Sequence, residues 1–180
     1  MLNNRDASQL VLMDVQDKLC SVMEPAALAE MVKNCGILLQ TAKLLEVPVI
    51  CTEQYPRGLG VTLPELSAHL AQPAIEKTCF SCNDSGTFRA RLRGDRPQIV
   101  LTGMESHICI LQTALQLQES GKQVFVVEDA VISRKPANKA NALHRLRQAG
   151  VIVTNTESVV FEWLRVAEGD AFKQISKLIR

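Results

Sequence analysis

Five short runs rich in Val, Ile and Leu recur along the chain: Leu10 to Val15, Val47 to Cys51, Ile99 to Thr102, Val124 to Glu128 and Val151 to Thr154. Runs this short and this apolar, with no polar alternation, read as strands buried on both faces, the condition of a parallel sheet. The last two each follow a helix-like segment that closes in glycine, Gly121 or Gly150, the joint at which a helix gives way to a strand. Between the first two, Ala26 to Leu45 carries Leu28, Met31, Val32, Cys35, Leu38, Leu39, Ala42 and Leu45 at helical spacing, with Pro25 near its start. That spacing reads as a long amphipathic helix.

Strands alternating with helices call for right-handed crossovers on both faces of one sheet. The expected fold is therefore α/β: a doubly wound, Rossmann-like and mostly parallel sheet, helices on both faces, strand order 3-2-1-4-5-6. With 180 residues, 47% of them apolar, and no repeat, low-complexity tract or linker, one domain over residues 1–180 is expected. Thr52 to Thr87 breaks the pattern, holding Pro56, Pro64, Pro73, Gly58, Gly60 and Gly86 and little periodicity beyond a short helix near Leu63 to Leu70. A long irregular insertion in a compact domain is usually functional. At the C-terminus, Asp170 to Arg180 places Phe172, Ile175, Leu178 and Ile179 on one face and reads as a helix docked on its own domain.

Composition then narrows the function. Lys and Arg number 20 against 19 Asp and Glu, so no cationic excess exists to displace phosphate counterions, and nucleic acid is not an expected partner. No 18 apolar residues run together, and MLNNRDASQ leads to Asp14 after only a short apolar stretch. Neither a membrane span nor a signal peptide is expected. Cys20, Cys35, Cys51, Cys79, Cys82 and Cys109 lie mostly in apolar runs of a chain large enough to fold without staples, and read as reduced thiols of a cytoplasmic protein. Cys79 and Cys82 have CxxC spacing, but the turn sequence Asn83 to Gly86 follows where a redox pair would open a helix. His69, His107 and His144 stand too far apart for a zinc-type ligand pattern, so neither metal nor other cofactor is expected.

Open parallel sheets bind ligands beyond the carboxyl ends of their strands, where strand order reverses. Asp14 closes the first strand; Cys109 follows the TGMESHI turn after a later one, on the first turn of a helix with apolar face Ile108, Leu111, Ala114 and Leu115. In the expected order those two strands are neighbours, and a carboxylate and a thiol face one crevice. A helix N-terminus and a nearby cation both lower a thiol's pKa. The helix offers Cys109 the first, and Lys77 in the irregular EKTCFS is the candidate for the second, with Asp14 as general base. Singly, each has a plainer reading: a small buried hydrophobe, a turn residue, a solvated loop charge.

Taken in order, LVLMDVQ, PVICTEQYPRGLG, EKTCFS and IVLTGMESHICILQTAL resemble the isochorismatase-like cysteine hydrolases over Leu10 to about Val160. TEQYPRGLGVTLPEL and KTCFS are similar, nearly residue for residue, to the branch called isochorismatase domain-containing proteins. The resemblance implies a catalytic triad of Asp14, Lys77 and Cys109, a cis Met104–Glu105 peptide bond, and an oxyanion hole formed by the backbone N–H groups of Glu105 and Cys109. Ser106 looks like an N-cap whose side chain would compete for the Cys109 N–H. Relatives that hydrolyse nicotinamide carry an Asp and His metal cluster after the second strand, where this chain has Glu53, Gln54 and Tyr55 and no histidine before His69. True isochorismatases cleave a vinyl ether and do not keep the cysteine. The expected function is thus amidase-like: a cysteine hydrolase acting on a small amide-like molecule through a thioester. Gln16, Tyr55, Phe80 and His107 are its candidate substrate-binding residues by adjacency. A homo-oligomer is expected, with the Trp163 region exposed. A non-catalytic scaffold or binding module of the same fold, and isochorismatase-type ether hydrolysis, are the alternatives.

Overall fold

The computed structural model describes residues 1–179. Its centre is a six-stranded sheet of β1 (Ser8–Met13), β2 (Val49–Gln54), β3 (Ile75–Lys77), β4 (Gln98–Met104), β5 (Gln123–Ile132) and β6 (Ile152–Thr154). Every pair is parallel and the order is β3-β2-β1-β4-β5-β6, the doubly wound arrangement expected from the strand and helix alternation. Strand order reverses between β1 and β4. All residues of these two strands are buried, which accounts for their unbroken apolar character.

One strand lies inside the segment read as irregular. Ile75–Lys77 pairs with β2 through Thr52↔Ile75, Glu53↔Glu76 and Gln54↔Lys77. Lys77 therefore stands at the carboxyl end of an edge strand, fixed in register, and not on a free loop laid over the crevice.

Alternate residues of each strand feed two cores, as the two-residue strand period demands. Leu10 and Leu12 pack on one face with Leu38, Phe125, Trp163 and Ile175, under helices Pro25–Leu44, Thr156–Leu164 and Gly169–Leu178. Val11 and Met13 pack on the other with Phe88, Leu111, Ala114 and Leu146, under helices Leu111–Glu119 and Pro136–Gln148. Full burial of each such side chain contributes about 1.5–3 kcal/mol. The long helix starts on Pro25 at its first position, and the Glu24 carboxylate accepts from Ala26 N and Ala27 N, satisfying two of the backbone donors a helix start leaves open. Trp163 is completely buried, contrary to the expectation of an exposed region, and its Nε1 donates to Ser8 Oγ at 3.1 Å. The C-terminal helix docks through Ile175, so its apolar face is largely used within the chain. Among the described residues no helix is long and apolar enough to cross a membrane.

Gly103 sets the meeting of β1 and β4. Its φ is +107°, and a Cβ there would lie 2.1 Å from Met13 O. Only glycine lets the end of β4 pass so close to the residue before Asp14.

Candidate active site

Asp14, Lys77 and Cys109 come from three separate segments and meet at the strand-order reversal. Asp14, the residue after β1, has a left-handed backbone with φ of 56°, a conformation Asp tolerates better than most residues. β2 holds it twice: Asp14 N donates to Thr52 O at 3.0 Å, and Thr52 Oγ1 donates to Asp14 Oδ1 at 2.7 Å. The other carboxylate oxygen, Oδ2, accepts from Lys77 Nζ at 2.8 Å. Lys77 Nζ also faces Gln54 Oε1 at 2.6 Å, the carbonyls of Cys79 at 3.2 Å and Phe80 at 3.4 Å, and Cys109 Sγ at 3.9 Å. Relative exposure is 0% for Asp14, 5% for Lys77 and 6% for Cys109. A buried ion pair survives loss of water only when further hydrogen bonds complete it, and these partners do so.

The thiol does not behave as its place at a helix start suggested. Burial, and after it the Asp14 charge, push the Cys109 pKa up, and the nearby Lys77 ammonium offsets only part of this. Cys109 therefore rests as a thiol, because the helix start is itself buried and a carboxylate shares the site. Burial by itself pulls Lys77 down, but Asp14 leads the charges that outweigh it, so the net direction is up and Lys77 stays an ammonium. One carboxylate, one ammonium and one thiol sum to zero charge. Passing the thiol proton to Asp14 keeps that sum and leaves a thiolate 3.9 Å from the ammonium, which offsets part of the cost that burial imposes on the thiolate.

Cys109 lies in a π-helical turn, Ser106–Ile110, that runs into the α-helix Leu111–Glu119, one step removed from the plain α-helical first turn expected. The Met104–Glu105 peptide bond is cis. Glu105 O accepts from Ile108 N at 3.1 Å and Ile110 N at 3.3 Å, closing the turn. The buried Glu105 carboxylate accepts from Arg134 N at 2.9 Å and from Arg134 Nε. Ser106 Oγ is buried without a hydrogen-bond partner among the described residues, so it does not compete for the Cys109 N–H.

The four candidate pocket residues divide. Gln16 is a brace: Nε2 donates to Gln54 O at 3.0 Å and Gly60 O at 2.6 Å, and Oε1 accepts from Gln54 N at 2.7 Å, so its side chain is committed to the backbone of the insertion. His107 is braced as well, with Nδ1 3.0 Å from Ser133 Oγ and Nε2 3.2 Å from Asn138 Nδ2. Tyr55 and Phe80 are exposed. Tyr55 lines a cavity of about 500 Å³ with Arg57, Glu76, Lys77 and Cys79 on the β3 side; neither Asp14 nor Cys109 borders it. Thr52 and Gln54 position the carboxylate and the ammonium, a role the sequence alone does not assign to either; the pairing of Met13 with Thr52 across β1 and β2 is what brings Thr52 to Asp14.

The positions at the end of β2 do not fit a metal site. Glu53 Oε1 accepts from Thr62 N and Thr62 Oγ1, both at 2.7 Å, and the Gln54 side chain is taken by Lys77 and Thr78 O. Among the described residues no three His, Cys, Asp or Glu side chains converge.

A family model, the isochorismatase domain, matches residues 8–158, which include all three members of this cluster. The chain belongs to the isochorismatase domain family. It is thereby an isochorismatase-like hydrolase. Isochorismatase domain-containing protein 2 of Bos taurus is 40% identical over 174 residues, 97% of this chain and 83% of that protein. The solved structure of the MAR1 ribonuclease from Caenorhabditis elegans superposes with a TM-score of 0.92 at 35% identity, covering 99% of this chain and 92% of that one. The Escherichia coli YcaC protein, described as an octameric hydrolase of unknown specificity, shares the fold at a TM-score of 0.91 and 24% identity, over 99% of this chain and 90% of its own.

Proposed function

We propose that this isochorismatase-domain chain hydrolyses a small amide-like molecule through a thioester on Cys109. The observation that carries the reading is the Lys77 ammonium, 2.8 Å from Asp14 Oδ2 and 3.9 Å from Cys109 Sγ, with all three residues buried. The substrate carbonyl carbon is attacked by Sγ as the thiol proton passes to Asp14, and the new C–S bond forms. Negative charge gathers on the carbonyl oxygen, where the backbone N–H groups of Glu105 and Cys109 would receive it; one such donor is worth about 10²–10³ in rate. Asp14 then gives its proton to the departing nitrogen as the C–N bond breaks. Water, losing a proton to Asp14, attacks the thioester, and the acid leaves as Sγ recovers the proton. Positioned proton transfer of this kind contributes about 10²–10⁴. Lys77 stays charged throughout, balancing carboxylate and thiolate in turn. Tyr55, which shares a cavity with Lys77, and the exposed Phe80, whose carbonyl faces Lys77 Nζ, are the side chains available to a substrate; Gln16 holds the backbone of the insertion, and His107 is tied to the Ser133 and Asn138 side chains.

A homo-oligomer belongs to the same reading: Val22, Tyr55, Val61 and Phe80 are exposed apolar residues that a second copy would cover. Light scattering that finds only a 19.8 kDa species at micromolar concentration would exclude it. The name of the C. elegans relative favours one second reading, cleavage of RNA. Against it stands a net charge of +1, which gives little counterion release.

The deciding experiment screens small primary amides and ureido acids for ammonia release, with a single-stranded RNA oligomer in parallel, for the unaltered chain and Cys109→Ala, with and without a strong chelator. The expected result is ammonia release that survives chelation and is lost in Cys109→Ala. RNA cleavage without amide turnover would replace the proposal. Activity lost on chelation and restored by zinc would overturn its metal-free chemistry.

A further inference from the structure

β6 pairs only with Phe125–Val127, so the second half of β5 runs on past its neighbour. Against that half lies a cavity of about 410 Å³, within the range of small-molecule sites, bordered by none of Asp14, Lys77 and Cys109. Its walls differ in charge. The helix Pro136–Gln148 and the residues leading into it bring Lys139 and Arg134; the first turns of the helix Pro25–Leu44 bring Glu24 and Glu30. β5 adds Glu128 and Asp129, and Met31, Ile132 and Leu143 supply apolar surface.

Several of these charges are already engaged. Glu24 caps its helix, Glu128 pairs with Arg147 at 2.6 Å, and Asp129 Oδ1 accepts from Thr156 N and Oγ1. Arg134 uses N and Nε on Glu105. Among the described residues, three groups keep no hydrogen-bond or ion-pair partner: the two terminal guanidinium nitrogens of Arg134, the Lys139 ammonium and the Glu30 carboxylate. Lys139 is half-buried, and burial lowers its pKa although Asp129, Glu128 and Glu30 oppose this from a distance. A partly desolvated ammonium without a contact partner gains from a ligand that supplies one.

We propose that this cavity binds a small zwitterion of the α-amino-acid type, its carboxylate on Lys139 and Arg134, its ammonium on Glu30, and its apolar part on Met31, Ile132 and Leu143. A ligand with one charge leaves one wall unmatched, and a neutral one leaves both. The site abuts the nucleophile's turn, since Ser133 Oγ holds His107 and Arg134 holds Glu105. It is nonetheless separate from the chemistry proposed above and stands or falls without it.

Calorimetric titration of the full chain tests the site with L-leucine and the two probes that lack one of its charged groups: 4-methylpentanoate, without the amine, and 3-methylbutylamine, without the carboxylate. Leucine is expected to bind saturably and about tenfold or more tighter than either singly charged probe, the scale of one charge-assisted hydrogen bond. Lys139→Met and Glu30→Gln, both near the surface and checked for unchanged melting, should each weaken leucine by a similar factor; Cys109→Ala should leave it unchanged. Absence of saturable leucine binding, equal binding of all three probes, or unchanged affinity in Lys139→Met would overturn the proposal. So would loss of leucine binding in Cys109→Ala, which would assign it to the thiol's own site.

Discussion

Asp14→Asn should move thiol reactivity and turnover in opposite directions. With 2.8 Å from Asp14 Oδ2 to Lys77 Nζ and 3.9 Å from Nζ to Cys109 Sγ, the carboxylate lies within about 7 Å of the sulfur. At an effective dielectric near 20, its repulsion of a thiolate is at least about 2 kcal/mol, roughly a 30-fold suppression of the thiolate population near neutral pH. Asparagine removes that charge while its side-chain oxygen keeps one of the two hydrogen bonds, and the Lys77 ammonium remains to favour the thiolate. A more acidic thiol is a weaker nucleophile, with a Brønsted slope near 0.4–0.5, so the net gain in alkylation at pH 7 is about five- to tenfold. Turnover should fall by about 10²–10⁴, since no group remains to carry the proton between thiol and leaving nitrogen. The assay is the rate of iodoacetamide modification of the Cys109 peptide, read by mass mapping from pH 6 to 9. A Cys79→Ser background removes the one cysteine that is not buried. Slower alkylation in Asp14→Asn, or unimpaired turnover, would refute the assignment of both charge and proton carrier to Asp14.

Thr52→Val should lower kcat/KM by about ten- to a hundredfold through loss of the 2.7 Å hydrogen bond to Asp14 Oδ1, with Thr52→Ser recovering most of it; equal losses in both variants would count against a role for the hydroxyl. Burial pushes Cys20 up to about 11, Cys35, Cys51 and Cys82 up to about 12, and Cys109 up as well. In the unfolded chain these thiols ionise near pH 8.5, so above that value the unfolded state holds fewer protons and stability falls by about 1.4 kcal/mol per thiol per pH unit. Lys77 acts with the same sign: its raised pKa contributes stability that is complete below the ordinary ammonium value and lost as pH climbs through the folded one. Urea unfolding should therefore show stability level from pH 7 to 8 and collapsing between pH 9 and 11; a flat profile to pH 11 would contradict the burial of the thiols. Trp163, the sole tryptophan, should fluoresce at the short wavelengths of a dry site, and Trp163→Ala should cost about 3–5 kcal/mol in the same urea assay.

Strands buried on both faces announce themselves as continuous apolar runs, which is why β1, β2, β4 and β5 were legible; β6, a half-buried edge strand, was legible from the glycine-closed helix before it. β3 was not: only three residues long, at the sheet edge and just after Pro73, it turns Ile75 and Lys77 inward and Glu76 outward, too brief a pattern to separate from loop. Trp163 misled because its helix is apolar around much of its circumference, and sequence does not say which side another helix will cover. In the site, Asp14 and Cys109 were visible from the positions of strand ends. Thr52 and Gln54 depend on the register of β2 against β1 and β3, set by packing at a distance. The direction of the Cys109 pKa was a contest between a helix start that favours the thiolate and burial beside a carboxylate that opposes it. Position along the chain reveals the first and conceals the second.

Whether Cys109 carries the acyl group can be measured directly. The chain is mixed with a saturating amide that supports turnover, quenched in acid within the first turnovers, digested and mapped by mass. The expected result is a mass gain equal to the substrate's acyl portion on the peptide containing Cys109, labile to hydroxylamine, with both the adduct and the turnover absent in Cys109→Ala. An acyl group found on another residue, or steady turnover by Cys109→Ala, would contradict a thioester mechanism at this site.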